Sequence, residues 1–227
     1  MIKIENVETA GWEAAIRGMR NPMNSWGESD SYWGLLADES PINPNDEPFF
    51  YLGENDIELM RTLSKAGTDH RKFMRMIAVY ADITAPLYWW KEYDTYKVGS
   101  VANSCSTMHK IHEREFTFKD FSTDHLGIVQ NCDPGYWNAL ETVIGALNEA
   151  RKCYLDTKDK AYWWQMLQLL PSSYNQRRTV MLNYEVLANI YKSSRGHKLD
   201  EWNTFCTWIK SLPYCDIITG EQSEKEC

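Results

Sequence analysis

Side chains able to hold a ligand concentrate in one passage, DTYKVGSVANSCSTMHK, at residues 94–110. It carries Lys97, Ser100, Asn103, Ser104, Ser106 and His109 among small residues. One cation, several hydroxyls and closely spaced backbone N–H groups suit a phosphate or the edge of a heterocycle. The same smallness suits helices or subunits packed closely, and the residues alone leave both readings open. A second group lies in YNQRRTVMLNYEVLANIYKSSR, read as one helix over 174–194. There Val180, Tyr184, Leu187 and Tyr191 form an apolar seam. Asn183 lies beside that seam, and Glu185 and Asn189 share another face four residues apart. A buried Asn needs partners, which are either a ligand's ring edge or a neighbouring loop.

Other chemistry is weakly signalled. His109-x-x-His112-Glu113 invites a metal reading, but H-E-x-x-H spacing is absent and no third ligand is marked, so a solvated polar strip is expected and no metal. Neither G-x-G-x-x-G nor G-x-x-x-x-G-K occurs, nor G-x-S-x-G, and no spacing marks a Ser/His/Asp triad. The six cysteines form no C-x-x-C and read as reduced thiols in a cytoplasm; Cys105 is either a small buried hydrophobe or part of the opening loop.

The elements that must position these groups read as α+β. MIKIENVE alternates as a strand, and GWEAAIRGMR is a short helix. Residues 27–54 are acidic with three prolines, a loop or insertion. Asn55 opens a helix through about Ala66, stopped by Gly67. KFMRMIAVYADITAPLYW reads as a strand followed by a helix starting near Pro86, and REFTFKDFS as a further strand. Helices over 136–156, 159–169 and 198–211 complete a helix-rich second half, with a frayed tail at 219–227. A chain of 227 residues fits one domain.

The formal net charge of −8 opposes a nucleic-acid clamp, yet a few local cations can still bind one nucleotide. No apolar run of membrane-spanning length and no signal peptide are present, so a cytoplasmic protein is expected.

These pieces together resemble the flavin-dependent thymidylate synthases. ITAPLYWWKEYDTYKVGSVANSCS is similar to that family's apolar strand, A-P helix start and R-H-R-x₇-S. IELMRTLSKAG and HRKFMRMIAVYADITAPLY resemble its helix, glycine turn and strand, and NPMNSW its early Ser-containing segment. LLPSSYNQRRTVMLNYEVLANIY resembles its L-P, then N-x-R, then N, placing Pro171, Asn183 and Asn189 in register. SSRGHKLDEW resembles its L-R stretch ahead of a Q-W pair if one residue is inserted.

The family's phosphate-binding arginines are largely replaced. Arg-His-Arg becomes Thr95-Tyr96-Lys97, and without a gap Cys105 takes the serine's place instead of Ser106. The Arg after that serine becomes Met108, the Arg of N-x-R becomes Glu185, and the Arg before L-P becomes Leu167, with Gln168 beside it. An anion 4–5 Å from an unpaired Glu185 would be repelled by about 3–4 kcal/mol at an effective dielectric near 20.

The resemblance implies a single domain over 1–227 with a mixed sheet, and reductive methylation of deoxyuridylate. It implies FAD as cofactor, methylenetetrahydrofolate and NADPH as co-substrates, and a homotetramer with sites shared between subunits. It implies Ser25, Lys97, Ser100, Asn103, Asn183 and Asn189 near the flavin. It implies Gln168, Ser106 and Arg195 on the nucleotide, with Arg195 and Ser106 catalytic. The alternatives are the same fold acting on another pyrimidine, or a binding or assembly homologue without catalysis.

Overall fold

The computed structural model describes residues 2–34, 49–127 and 135–221. Six strands and eight α-helices follow in chain order among them. Strand β1 (Lys3–Ala10) leads to helix α1 (Trp12–Arg20), and a small hairpin joins β2 (Tyr32–Gly34) to β3 (Phe49–Tyr51). Next come α2 (Glu54–Lys65), a 3-10 turn (Arg71–Met76), β4 (Ala78–Pro86), α3 (Leu87–Tyr93) and β5 (Val101–Ser104). The second half holds α4 (Gly135–Thr157), α5 (Lys160–Leu169), β6 (Asn175–Asn183), α6 (Tyr184–Ser194), α7 (Asp200–Ile209) and α8 (Asp216–Thr219).

The main sheet runs β1-β4-β6-β5. The α+β class with a helix-rich second half stands, but every pairing is antiparallel where a mixed sheet was expected. β4 lies inside the sheet, and its alternation is the fold's main organiser. Val79, Ala81, Ile83 and Ala85 point into the core, while Tyr80 stays exposed on the other face. On that face Asp82 accepts from Asn6 and Thr179 and pairs with Arg177, lacing three strands together.

The covered face packs against an aromatic wedge. Trp89 of α3, packed against Trp90, meets Trp202 and Phe205 of α7, with the Trp89 and Trp202 ring centres 4.9 Å apart. Arg178 of β6 stacks on Trp90 and binds Asp94, so the start of the 94–110 passage is pinned to the sheet. Gly11 links β1 to α1 at φ 93°, where a Cβ would sit 2.1 Å from the Met76 carbonyl oxygen.

A second, smaller core joins Ile111, Phe116 and Phe121 to Ile144, Leu147 and Met166 of the α4–α5 hairpin. Asn148 of α4 clamps both the N–H and the carbonyl of Phe116, at 2.8 and 2.9 Å. Trp163 of α5 donates to the Met108 carbonyl. The hairpin therefore fixes the second half of the polar passage.

Four expectations are corrected. Residues 174–194 are not one helix: Gln176, Val180 and Leu182 point inward with period two, making a strand before α6 begins. REFTFKDFS forms no named strand, because Thr117 and Asp120 cap each other around a 3-10 turn and leave only a bridge at Phe121. The polar passage contains a strand, β5, paired with β6. The described part of the 219–227 tail is not frayed: Glu221 binds Lys210 and Tyr191 at 2.8 Å each. Residues 222–227 lie outside the described residues, as do 35–48 of the expected 27–54 insertion, whose described part includes β2 and β3.

Candidate functional site

Three concave regions hold most of the chemistry. The largest, about 650 Å³, lies where the passage after β5 crosses the start of β6. Phe116 and Tyr174 line it together with Cys105 and Ser106. The Cys105 N–H donates to the Arg177 carbonyl and Gln176 donates to the Cys105 carbonyl, so β6 sets this loop's position. The Ser106 hydroxyl oxygen accepts from the N–H groups of Met108 and His109, at 3.2 and 2.8 Å. Its own O–H is left to donate. The cations here are balanced: Lys110 pairs with Glu113, Arg114 with Asp120 and Arg177 with Asp82.

The second region lies beyond the opposite end of β6. Asn183 caps α6: its Oδ1 accepts from Val186 N–H at 3.0 Å and its amide donates to the Gly99 carbonyl at 3.2 Å. Its partners are thus its own helix and a neighbouring loop. The Ser100 hydroxyl donates to the Tyr96 carbonyl. Glu185 is buried on α6 and paired with both Arg75 and Arg71. Repulsion of an anion by that carboxylate is therefore largely cancelled. The same bond raises the Arg75 guanidinium above its usual range. Arg71 also donates to Asn189 Oδ1 at 3.0 Å, leaving the Asn189 amide N–H groups facing outward.

Along α6 follows a cavity of about 250 Å³ lined by Lys65, Arg71, Lys192 and Arg195 over an apolar floor of Ala188 and Ile217. The third region, about 450 Å³, includes Ser25 and Arg20. Arg20 donates to both the Ser25 carbonyl and hydroxyl, and is itself held by Asp56 at 2.6 Å.

The expected residues thus scatter. Ser106 opens into the largest cleft, Arg195 into the basic cavity and Ser25 into the third region. Lys97 and Asn103 are exposed, and Gln168 is exposed on α5 without lining any of the three. Ser106 and Arg195 do not share a cavity: Arg177 and Asn183, at the two ends of β6, stand six residues or about 20 Å apart. The 94–110 passage does not form an open anion nest, since Ser106 itself takes two of its N–H groups. Among the described residues no His/Cys/Asp/Glu group is arranged for a metal. His112 is half-buried against Tyr154 rather than solvated. Lys65, Arg71 and Arg75 carried no local signal in the sequence, because only the packing of α2, the 3-10 turn and α6 brings them together. The four described cysteines are unpaired, and Cys105 is exposed rather than buried.

No protein-family model and no curated protein sequence matches this chain. Solved structures match it nearly end to end. Thymidylate synthase X from Helicobacter pylori, crystallised with FAD and dUMP, superposes with a TM-score of 0.64 at 14% identity, over 96% of each chain. The UMP/dUMP methylase PolB from Streptomyces cacaoi, bound with 5-Br dUMP, gives 0.61 at 14% identity, over 97% of this chain and 95% of that one. No described helix is long and apolar enough to cross a membrane. Across almost its whole length, this chain has the fold of the flavin-dependent thymidylate synthases.

Proposed function

We propose that this protein is a flavin-dependent methylase of a pyrimidine nucleotide, with deoxyuridylate as substrate and FAD as cofactor. Methylenetetrahydrofolate donates the carbon and NADPH reduces the flavin. The supporting observation is the end-to-end match of fold with a synthase crystallised with FAD and dUMP. The match with a UMP/dUMP methylase supports a second reading, in which another pyrimidine is the substrate.

The side chains present fit the ring edges of such a cofactor. Asn189 is oriented by Arg71 with its N–H groups outward, and Asn103 is exposed on the edge strand β5. Lys97 is exposed and supplies a point charge for phosphate. Asn183 and Ser100 contribute indirectly, by fixing the Gly99 turn that carries Lys97.

A bound reduced flavin would supply the hydride that the transferred carbon needs. Around it, Ser106 offers its free O–H to the nucleotide, and Arg195 polarises a pyrimidine carbonyl, a role its exposed guanidinium can fill. Gln168, exposed on α5, adds an amide to the nucleotide's ring edge. Because Ser106 and Arg195 stand in different cavities of one chain, a second copy completes each site, in a tetramer acting in the cytoplasm.

Lys97→Ala and Asn189→Ala are expected to weaken flavin retention by about tenfold each. Unchanged retention in both would end the cofactor assignment. Rescue of a thymidine-requiring strain distinguishes deoxyuridylate from another pyrimidine.

A further inference from the structure

We infer that the basic cavity between α2, α6 and α8 is a phosphate site, taking the phosphomonoester or diphosphate of a nucleotide-type ligand. This deepens the proposed function, because the residues placed on the flavin include only Lys97 as a cation. Its physical basis is independent of that function.

Among the described residues, four cations, Lys65, Arg71, Lys192 and Arg195, line the cavity, and no carboxylate does. In a chain of net charge −8 that concentration is unusual. Two carboxylates stand behind the wall, and both are already matched. Glu185 is paired with Arg71 and Arg75, and Glu221 with Arg195 and Lys210. Asp69 also acts on Arg75, so the wider group holds six cations against three anions.

Helix dipoles are the competing explanation for such lysines. Lys65 ends α2 and Lys192 lies in the last turn of α6, where cations complement the helix C-terminus. Each helix end is worth about half a negative charge. Two ends offset about one of the three surplus cations, so the cavity stays positive.

The arrangement also suits phosphate by shape. The volume of about 250 Å³ exceeds that of a phosphate group and is too small for a whole dinucleotide. Arg71 is three-quarters or more buried and held by Asn189 at 3.0 Å, so its guanidinium is preorganised. Lys65 and Lys192 are exposed and form no ion pair among the described residues, which leaves their ammonium groups to close over a bound anion. Ala188, Ile217 and Ile218 form an apolar base that lowers the local dielectric under the anion.

The test uses inorganic pyrophosphate, followed by phosphorus NMR, on the full chain. The wild type is expected to bind one pyrophosphate per chain. Lys65→Ala and Lys192→Ala should each weaken binding about tenfold, and Lys192→Glu should abolish it. Lys119→Ala, outside the cavity, should change nothing. Lys65, Lys192 and Lys119 are all exposed, so the variants should fold, and unchanged far-ultraviolet spectra will establish that they do. Absence of binding, or equal weakening by Lys119→Ala, overturns the site. If FAD binds but pyrophosphate binding ignores the cavity lysines, the inference fails and the proposed function survives. If the cavity variants lose pyrophosphate while the wild type binds no flavin, the inference survives and the proposed function fails.

Discussion

Asp56 is the residue whose removal should damage the Ser25 region most. It is fully buried and its Oδ1 lies 2.6 Å from Nε of Arg20, itself 3% exposed. Its Oδ2 accepts from the hydroxyls of Ser29 and Ser31 at 2.7 Å each. Asp56→Ala would leave the buried Arg20 guanidinium with only the exposed Glu28, 3.7 Å away, as counter-ion and free the Ser29–Ser31 turn. Breaking a buried pair from one side costs about 3–5 kcal/mol. With a urea slope of about 3 kcal/mol per molar, the unfolding midpoint should fall by about 1–1.7 M. Tryptophan fluorescence will read it. Adding Arg20→Met should recover about 2 kcal/mol, because the stranded charge is then gone. Burial pulls the Asp56 carboxyl upward, but hydrogen bonds from Ser29, Ser31 and Arg20 and the Arg20 charge outweigh it and hold it below its usual value. A depressed carboxyl stabilises above the unfolded value, near 3.8, and loses that contribution as pH falls through the folded one. The stability gap between wild type and Asp56→Asn should therefore be flat from about pH 5 to 8 and close below about 4. A loss under about 1 kcal/mol in Asp56→Ala, or additive losses in the double variant, would refute the reasoning.

Three further outcomes are expected. Gly99→Ala places a methyl 2.8 Å from the Asn183 amide at φ +80°, so it should mimic Asn183→Ala. Each should cost about 1 kcal/mol or more, lowering the melting temperature by at least about 2–4 °C, and the pair should be less than additive. Arg75→Ala strips Glu185 of one of its two arginine partners, so flavin retention should drop severalfold and recover when Glu185→Gln is added. Ser100→Ala should lower thermal stability without changing flavin affinity, in contrast to Lys97→Ala, because the Ser100 hydroxyl is committed to the Tyr96 carbonyl. Equilibrium dialysis with FAD and a thermal melt separate these outcomes.

How much was legible depended on whether a pattern was local. β1, α1, α2, β4 and α3 follow from alternation, amphipathic spacing and Pro86, and the structure places them within a few residues of those readings. Residues 174–194 misled because Val180, Tyr184, Leu187 and Tyr191 satisfy a helical seam by coincidence. The stronger signal was the alternation of Val180 and Leu182 with Arg177 and Thr179, ending at the capping residue Asn183. Asn183 and Ser100 resembled ligand groups because side-chain type alone does not reveal a committed bond; Gly99 and Tyr96 hold them. The sign at Glu185 was read as repulsive because its neutralising arginines lie 110 and 114 residues earlier in the chain. The basic cavity was invisible for the same reason: only the packing of α2, α6 and α8 brings Lys65 beside Lys192.

Reconstituting the purified protein with FAD, removing the free cofactor, and titrating deoxyuridylate while recording the visible spectrum tests the central claim most directly. A retained flavin band that shifts saturably with the nucleotide is the predicted result. A colourless protein, or a bound flavin whose spectrum ignores every pyrimidine nucleotide added, would contradict it.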